Sequence, residues 1–353
     1  MVARLPRRYV VVTLAGIAIA VAVIAAVIIF PMAIQSSSNS SANDPLRVAV
    51  VTDALFTDRG WGASSRDAAE FIASKYESEV ATEDNVEIAD IESTLRKYAE
   101  ARYDLVIAHG FQWGEPALRV AKQHPDTKFV VFTGLVQSSN NVASIFPMQQ
   151  EGSFLLGALA AMMTETNVIG YVGGEEYPNL INIFEGYKQG ARTVNSDIEV
   201  IGTYLNDWDN PEKGKESATS IIRQRVDIIF HVADSSGHGV IQAAREGGVY
   251  ALGAVQDKNA LAPNTVLSSF VLDVDKAYDQ AVQMVQGGDF RGEILRPGIE
   301  KEKGAPGDGI VYLAPFHSLE GKVPGEIKSR LNELTNDVLA RELVVPERLE
   351  ELS

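Results

Sequence analysis

From Pro45 onward the chain alternates short apolar runs with longer stretches of helical spacing, and this alternation constrains the fold more than any other feature. Residues 46–52 (LRVAVVT), 104–108 (DLVIA), 128–133 (KFVVFT), 168–172, 198–204, 227–232, 249–253 and 265–270 read as strands. Helical stretches fall near 63–78, 115–123, 152–163, 181–194, 211–223, 239–246, 274–286 and 324–342. A run such as VAVV has no polar face, so its strand must be covered on both sides, as in a parallel sheet with helices above and below. Right-handed crossovers follow from strand twist. Strands on the order of ten would overfill one open sheet of usual size, and about 309 residues are too many for one small core. The expected fold is α/β: two doubly wound parallel-sheet lobes joined by a multi-strand hinge. Lobe one is expected over 45–150 plus about 265–306, lobe two over 151–264 plus about 307–322, and a C-terminal helix and tail over 323–353. The hinge is expected near 151–164, 254–265 and 307–316.

The head differs. Residues 9–34 carry no charge, and as a helix they reach roughly 39 Å, enough to cross a hydrocarbon core of about 30 Å. The run is longer than the apolar region of a signal peptide and ends PMAIQSSS without a clear small-x-small site. Residues 1–34 are therefore expected to be an uncleaved membrane anchor, with a cleaved signal sequence and a secreted product as the alternative. Arg4, Arg7 and Arg8 precede the span, and no Lys or Arg follows until Arg47. The positive-inside rule then places residues 1–8 in the cytoplasm and the remainder outside the cell membrane, extracellular or periplasmic. Residues 35–44 are a polar linker, with Asn39-Ser40-Ser41 a glycosylation sequon. Eight cytoplasmic residues hold no signalling domain, so the outer domain should work outside or pass something to a separate membrane protein.

Residues 1–44 contain three arginines and one aspartate, which leaves a net charge of −18 on the rest. That balance argues against nucleic acid as a partner. With no cysteine, thiol catalysis, Cys-ligated zinc, iron–sulfur clusters, a disulfide scaffold and lipid attachment to Cys are excluded. His109, His124, His231, His238 and His317 form no HExxH or H-x-H pair, so no metal site is expected. Ser235-Ser236-Gly237-His238 lacks a G-x-S-x-G elbow, and Gly170-Tyr171-Val172-Gly173-Gly174 does not meet G-x-G-x-x-G. Neither enzyme activity nor a cofactor is expected. His231, inside a strand, reads as a core residue.

In open α/β sheets the ligand sits beyond the carboxyl ends of the strands. Those loops contain Phe56, Asp58 and Trp61; Phe111 and Trp113; Trp208; Asp234 and Gly237; and Asp257. All three tryptophans follow strands. Aromatic walls with carboxylates suit a flat polar solute, since stacking on one aromatic contributes roughly 1–3 kcal/mol and carboxylates accept hydrogen bonds from N–H or O–H groups. A tryptophan packed inside its own lobe is the competing reading.

Several stretches, in order, carry a resemblance: Asp58-Arg59-Gly60-Trp61, Gly110-Phe111, Glu151-Gly-Ser-Phe-Leu-Leu-Gly157, Ile169-Gly-Tyr-Val-Gly173, Phe184-Glu-Gly186 and Trp208-Asp-Asn-Pro211. Over residues 47–287 the chain resembles the basic-membrane-protein family of ABC-transporter substrate-binding proteins, which have the type I periplasmic-binding-protein fold. The resemblance implies an aromatic from each lobe, here Trp61 and Trp208, sandwiching a purine, with Gly237 in a glycine turn. It also implies an ABC permease as partner and a small-molecule ligand, a purine nucleoside or base. The chain departs from the nucleoside binders at three places. Trp61-Gly62 stands for their Phe-Asn, Val255 and Asp257 for a Gly-x-Asp-x-Asp pair, and Leu272 for a lysine. The expected ligand residues are Trp61, Trp208, Asp234, Gly237, Asp257, Phe111, Asp58 and Phe56. A ligand-sensing receptor ectodomain acting through a membrane partner is the alternative function.

Overall fold

The first strand, β1 (Arg47–Thr52), divides its side chains between two cores. Val48 and Val50 pack with Ile72, while Ala49 and Val51 face Leu95, Tyr98 and Val120 on the other side. Successive strand residues point to opposite faces, so burial of both faces explains the unbroken apolar run. The computed structural model describes residues 45–347 other than 139, 289 and 308. The apolar span, the linker with its sequon and residues 348–353 lie outside the described residues. Among the described residues no helix is long and apolar enough to cross a membrane.

After β1 come α1 (Trp61–Tyr76), β2 (Glu79–Glu83), α2 (Ile91–Glu100), β3 (Leu105–His109), α3 (Gly114–Ala121), β4 (Lys128–Phe132), β5 (Val142–Ile145) and α4 (Gln149–Met163). Next are β6 (Val168–Gly173), α5 (Pro178–Val194), β7 (Glu199–Tyr204), α6 (Pro211–Ile222), β8 (Ile228–Val232), α7 (Asp234–Gly247), β9 (Tyr250–Val255) and β10 (Val266–Leu272). The last are α8 (Val274–Gln286), β11 (Ile294–Leu295), β12 (Val311–Leu313) and α9 (Gly325–Leu339). Lobe one holds a six-stranded sheet in the order β2-β1-β3-β4-β5-β11, every pair parallel. Lobe two holds the order β7-β6-β8-β9-β10-β12, parallel except that β12 runs antiparallel to β10. These are the two doubly wound lobes that the alternation implies.

The lobe boundaries differ from the sequence expectation. Residues 265–272 were assigned to lobe one, but β10 pairs with β9 inside lobe two. The β9–β10 connection lacks an α-helix, so the rhythm breaks there without a change of lobe. The chain returns only at Asp273, and α8 then packs on lobe one. There Tyr278 Oη lies 2.9 Å from His109 Nδ1, and Asp279 accepts from Lys75 Nζ at 2.6 Å. Residues 151–164 are not hinge either, because α4 lies against α5 in lobe two. These helices approach so closely that a Cβ on Gly190 would lie 1.8 Å from the Phe154 carbonyl oxygen, and one on Gly157 would lie 2.0 Å from that of Tyr187. Residues 254–265, the end of β9 and its connection to β10, likewise stay within lobe two.

The crossing segments are 146–148, Asp273 and 296–310, and they lie side by side. Phe146 N–H donates to Leu295 O at 2.8 Å, Met148 N–H to Pro297 O at 2.9 Å, and Asp273 N–H to Ile310 O at 2.7 Å. Glu151, 1 % exposed, pins this bundle by accepting from Ile299 N–H at 2.7 Å and from Arg341 at 2.5 Å. Helix α9 buries Leu331, Leu334 and Val338 against the core shared with α4.

Candidate ligand-binding cleft

The carboxyl ends of β1, β3 and β4 face those of β6, β7, β8 and β9 across a cleft. Four aromatic residues line it: Trp61 and Phe111 from lobe one, Tyr177 and Trp208 from lobe two. Four carboxylates join them, Asp53, Asp58, Asp209 and Asp234, and no Lys, Arg or His is among the described lining residues.

Trp61 opens α1. Its ring rests on His109, with centroids 3.9 Å apart, and stacks near Phe132 at 5.5 Å, which backs the indole with its own lobe. Trp208 lies over Gly174, where a Cβ would sit 2.4 Å from ring atoms Cε3 and Cζ3. Only glycine leaves the indole that seat. Tyr177 bridges the walls, 6.3 Å from Trp208 and 6.4 Å from Phe111 by ring centroids. The third tryptophan follows the competing reading: Trp113 is fully buried and donates Nε1–H to Asp53 at 3.3 Å.

Asp53, directly after β1, was not among the expected residues. One carboxylate oxygen accepts from Gln112 Nε2 and the other from Trp113, so the group is oriented at the cleft edge with acceptor capacity left over. Burial pushes its carboxyl above the usual range, and the two donors oppose that shift. Asp209 is raised by burial and then by Asp207 and Asp58. Burial, then Asp58, push Asp234 up to about 7, against the pull of Lys258 and the Trp61 N–H. Asp58 lines the cleft, but its oxygens are engaged by the start of α1, accepting from Gly60 at 2.7 Å, Gly62 at 2.7 Å and Ala63 at 3.0 Å. It is a helix cap placed ahead of the first turn.

Three expected residues are elsewhere. Asp257 is exposed and not among the lining residues; its carboxylate lies 2.6 Å from His317 Nε2 and also accepts from Asn259 N–H at 3.0 Å. Val255, at the end of β9, lines the cleft itself and has a left-handed φ of 69°. Gly237 is one turn inside α7, where a Cβ would lie 2.2 Å from His231 Nδ1, so it serves packing beneath the site. Phe56 is half-buried beside the cleft and is not among its lining residues. His231 is a core residue, 1 % exposed, as read from its strand. Tyr177, Asn179 and Gln112 were missed. All follow strand ends, and that position was the available signal.

A profile of the family described as "ABC transporter substrate-binding protein PnrA-like" matches residues 46–303. The chain is 28% identical over 305 residues to the purine-binding protein of Brucella abortus, covering 86% of this chain and 83% of that one. It is 31% identical over 252 residues to basic membrane protein D of Borreliella burgdorferi, covering 68% and 72%. Among solved structures, a solute-binding protein of an ABC transporter system from Aeropyrum pernix superposes with a TM-score of 0.76 at 23% identity, over 87% of this chain and 95% of that one. That last likeness speaks to the fold alone. Since the profile match takes in most of both lobes, the chain belongs to the PnrA-like family of ABC-transporter substrate-binding proteins, which bind substrates and are not enzymes.

Proposed function

We propose that this chain is the extracytoplasmic solute-capturing component of an ABC importer, held at the membrane through residues 9–34 and delivering a flat purine to a permease. The observation that carries this reading is the pair Trp61 and Trp208, one on each side of the cleft and each backed by its own lobe. A planar ring between them would be stacked on both faces. Asp53 would then accept N–H donors at the ring edge. The purine-binding relative in Brucella supports the choice of ring. Val255 lines the cleft where the nucleoside binders present an aspartate, and Leu272 is buried where they present a lysine. Ribose hydroxyls would miss those partners, which favours a free base over a nucleoside. The cleft has no described cationic lining residue, which disfavours nucleotides, since a phosphate would enter a wall of carboxylates.

Calorimetric titration of the purified chain with adenine, guanine, hypoxanthine, the matching nucleosides and adenosine monophosphate tests the proposal. Expected is binding of at least one base, weaker binding of its nucleoside and none of the nucleotide. Mass spectrometry of solute released from the denatured protein checks the same point without a chosen panel. A bound solute without a planar ring would refute the clamp, and a tightly bound nucleotide would refute the charge argument.

A further inference from the structure

Lys258 is 3 % exposed, an unusual state for a lysine, and is not among the cleft-lining residues. Its placement is built by neighbours in lobe two. Lys258 N–H donates to Ser269 Oγ at 3.1 Å, and the stem runs over Gly253, where a Cβ would lie 2.6 Å from Lys258 Cγ. The ammonium leaves lobe two altogether. Nζ donates at 2.7 Å to the carbonyl of Arg59, in the first loop of lobe one. Arg59 has a φ of 56°, a left-handed conformation that a non-glycine residue holds only under constraint.

A second contact crosses beside it. The carboxyl of Asp234, the first residue of α7, closes on Gly60: a Cβ there would lie 3.1 Å from Asp234 Oδ1 and 3.3 Å from Lys258 Nζ. Asp58 keeps the neighbouring amides of α1 within lobe one, so the loop presents lobe two with a fixed edge. Other charged groups in reach of the pair are Asp209, Arg59 and the neutral rings of His231 and His238.

We propose that Lys258 is a positioning residue for the solute clamp: with Asp234 it grips the Arg59–Gly60 edge of lobe one from lobe two and holds the lobes shut with the adjoining Trp61 in place. This rests on the reading of the cleft as a two-lobed clamp. The contact and the clamp share one loop, since Lys258 and Asp234 close on Arg59 and Gly60 while the next residue, Trp61, lines the cleft. A ligand's apparent affinity scales with the fraction of protein in the binding-competent state, so loss of the grip weakens binding without removing any ligand contact.

The test uses the full chain, whose lack of cysteine lets Glu100→Cys and Glu216→Cys carry one spin label on each lobe. Interlobe distances are measured without ligand and with saturating adenine, for the labelled parent and for Lys258→Met. Expected in Lys258→Met is a shift of the ligand-free population to longer distances, the parent distance at saturation, and adenine dissociation faster by about ten- to 100-fold with little change in association. A Lys258→Met protein with the parent's ligand-free distances and dissociation rate overturns the proposal. If adenine does not bind, the ligand-free distances still decide it, separately from the fate of the purine reading. Should Lys258→Met fail to fold, the ligand-free distances of the labelled parent decide: a grip that holds the lobes shut requires a closed ligand-free population, and a parent that is open without ligand overturns the proposal.

Discussion

Gly174→Ala tests the seat of Trp208 and needs no change to any aromatic residue. The added Cβ would lie 2.4 Å from Cε3 and Cζ3 of the indole. Carbon atoms prefer separations of about 3.5 Å or more, so the ring must retreat by about 1 Å. Behind it is the lobe and in front is the cleft, so the retreat narrows the space meant for the ligand. A two-sided stack cannot absorb that displacement and keep both contacts. The expected loss is roughly 1–3 kcal/mol of stacking, or about five- to 150-fold in Kd. Because Trp208 is only half-buried, the ring has room to move, and the melting temperature should fall little. The assay is calorimetry of the tightest-binding purine against wild type, Gly174→Ala, Trp208→Ala and the double variant. In the Trp208→Ala background the Gly174→Ala change should have no further effect, as coupled neighbours are not additive. Wild-type affinity in Gly174→Ala, or additive losses in the double variant, would refute the reasoning.

Three more outcomes are expected. Because Asp234 is raised to about 7, the native state keeps a proton there from about pH 4 to 7 that the unfolded chain has released, so stability should fall as pH rises through that window. Thermal melts of wild type and Asp234→Asn from pH 5 to 8 should show that component only in wild type; parallel curves would contradict it. Asp58→Ala should destabilise the chain by about 2 kcal/mol in urea titrations, since the buried amides of Gly60, Gly62 and Ala63 at the start of α1 lose their acceptor. Asp257→Ala should leave purine affinity unchanged in calorimetry, because its carboxylate is committed to His317 and it does not line the cleft.

The central strands were legible because a strand covered on both sides has no polar face, and β1, β3 and β8 all show it. The edge strand β2 (EVATE) lacks that signature and was missed, as were the short β5 and the polar-rich helix α2. Trp61, Trp208 and Phe111 line the cleft, as aromatics in loops after strands suggest, but the same signal also picked out Trp113, which is packed in the core. Asp257 was misread because sequence distance from a strand end does not give direction: two residues past the cleft-lining Val255 its carboxylate is exposed and meets His317. Gly237 was misread because α7 starts at Asp234, which places the glycine one turn inside a packed helix. Lys258 left no sequence signal: a lysine in a loop is ordinarily solvated, and only its tertiary contacts show it buried.

The interleaving of the lobes has a consequence for synthesis. Lobe one cannot be completed from its own stretch of chain, since its edge strand β5 receives β11 only about 150 residues later, and its α1 side waits for Ala277, Tyr278 and Ala281 of α8. At roughly 5–20 residues per second, that apolar surface stays open for about 7–30 s while all of lobe two is being made. During that interval the nascent chain presents an unpaired strand edge and an uncovered sheet face, the two features that most invite association with other chains. A terminated product ending before residue 274 would carry both permanently, so the first lobe is expected to be recovered as an aggregate or a chaperone-bound fragment, and not as a free domain.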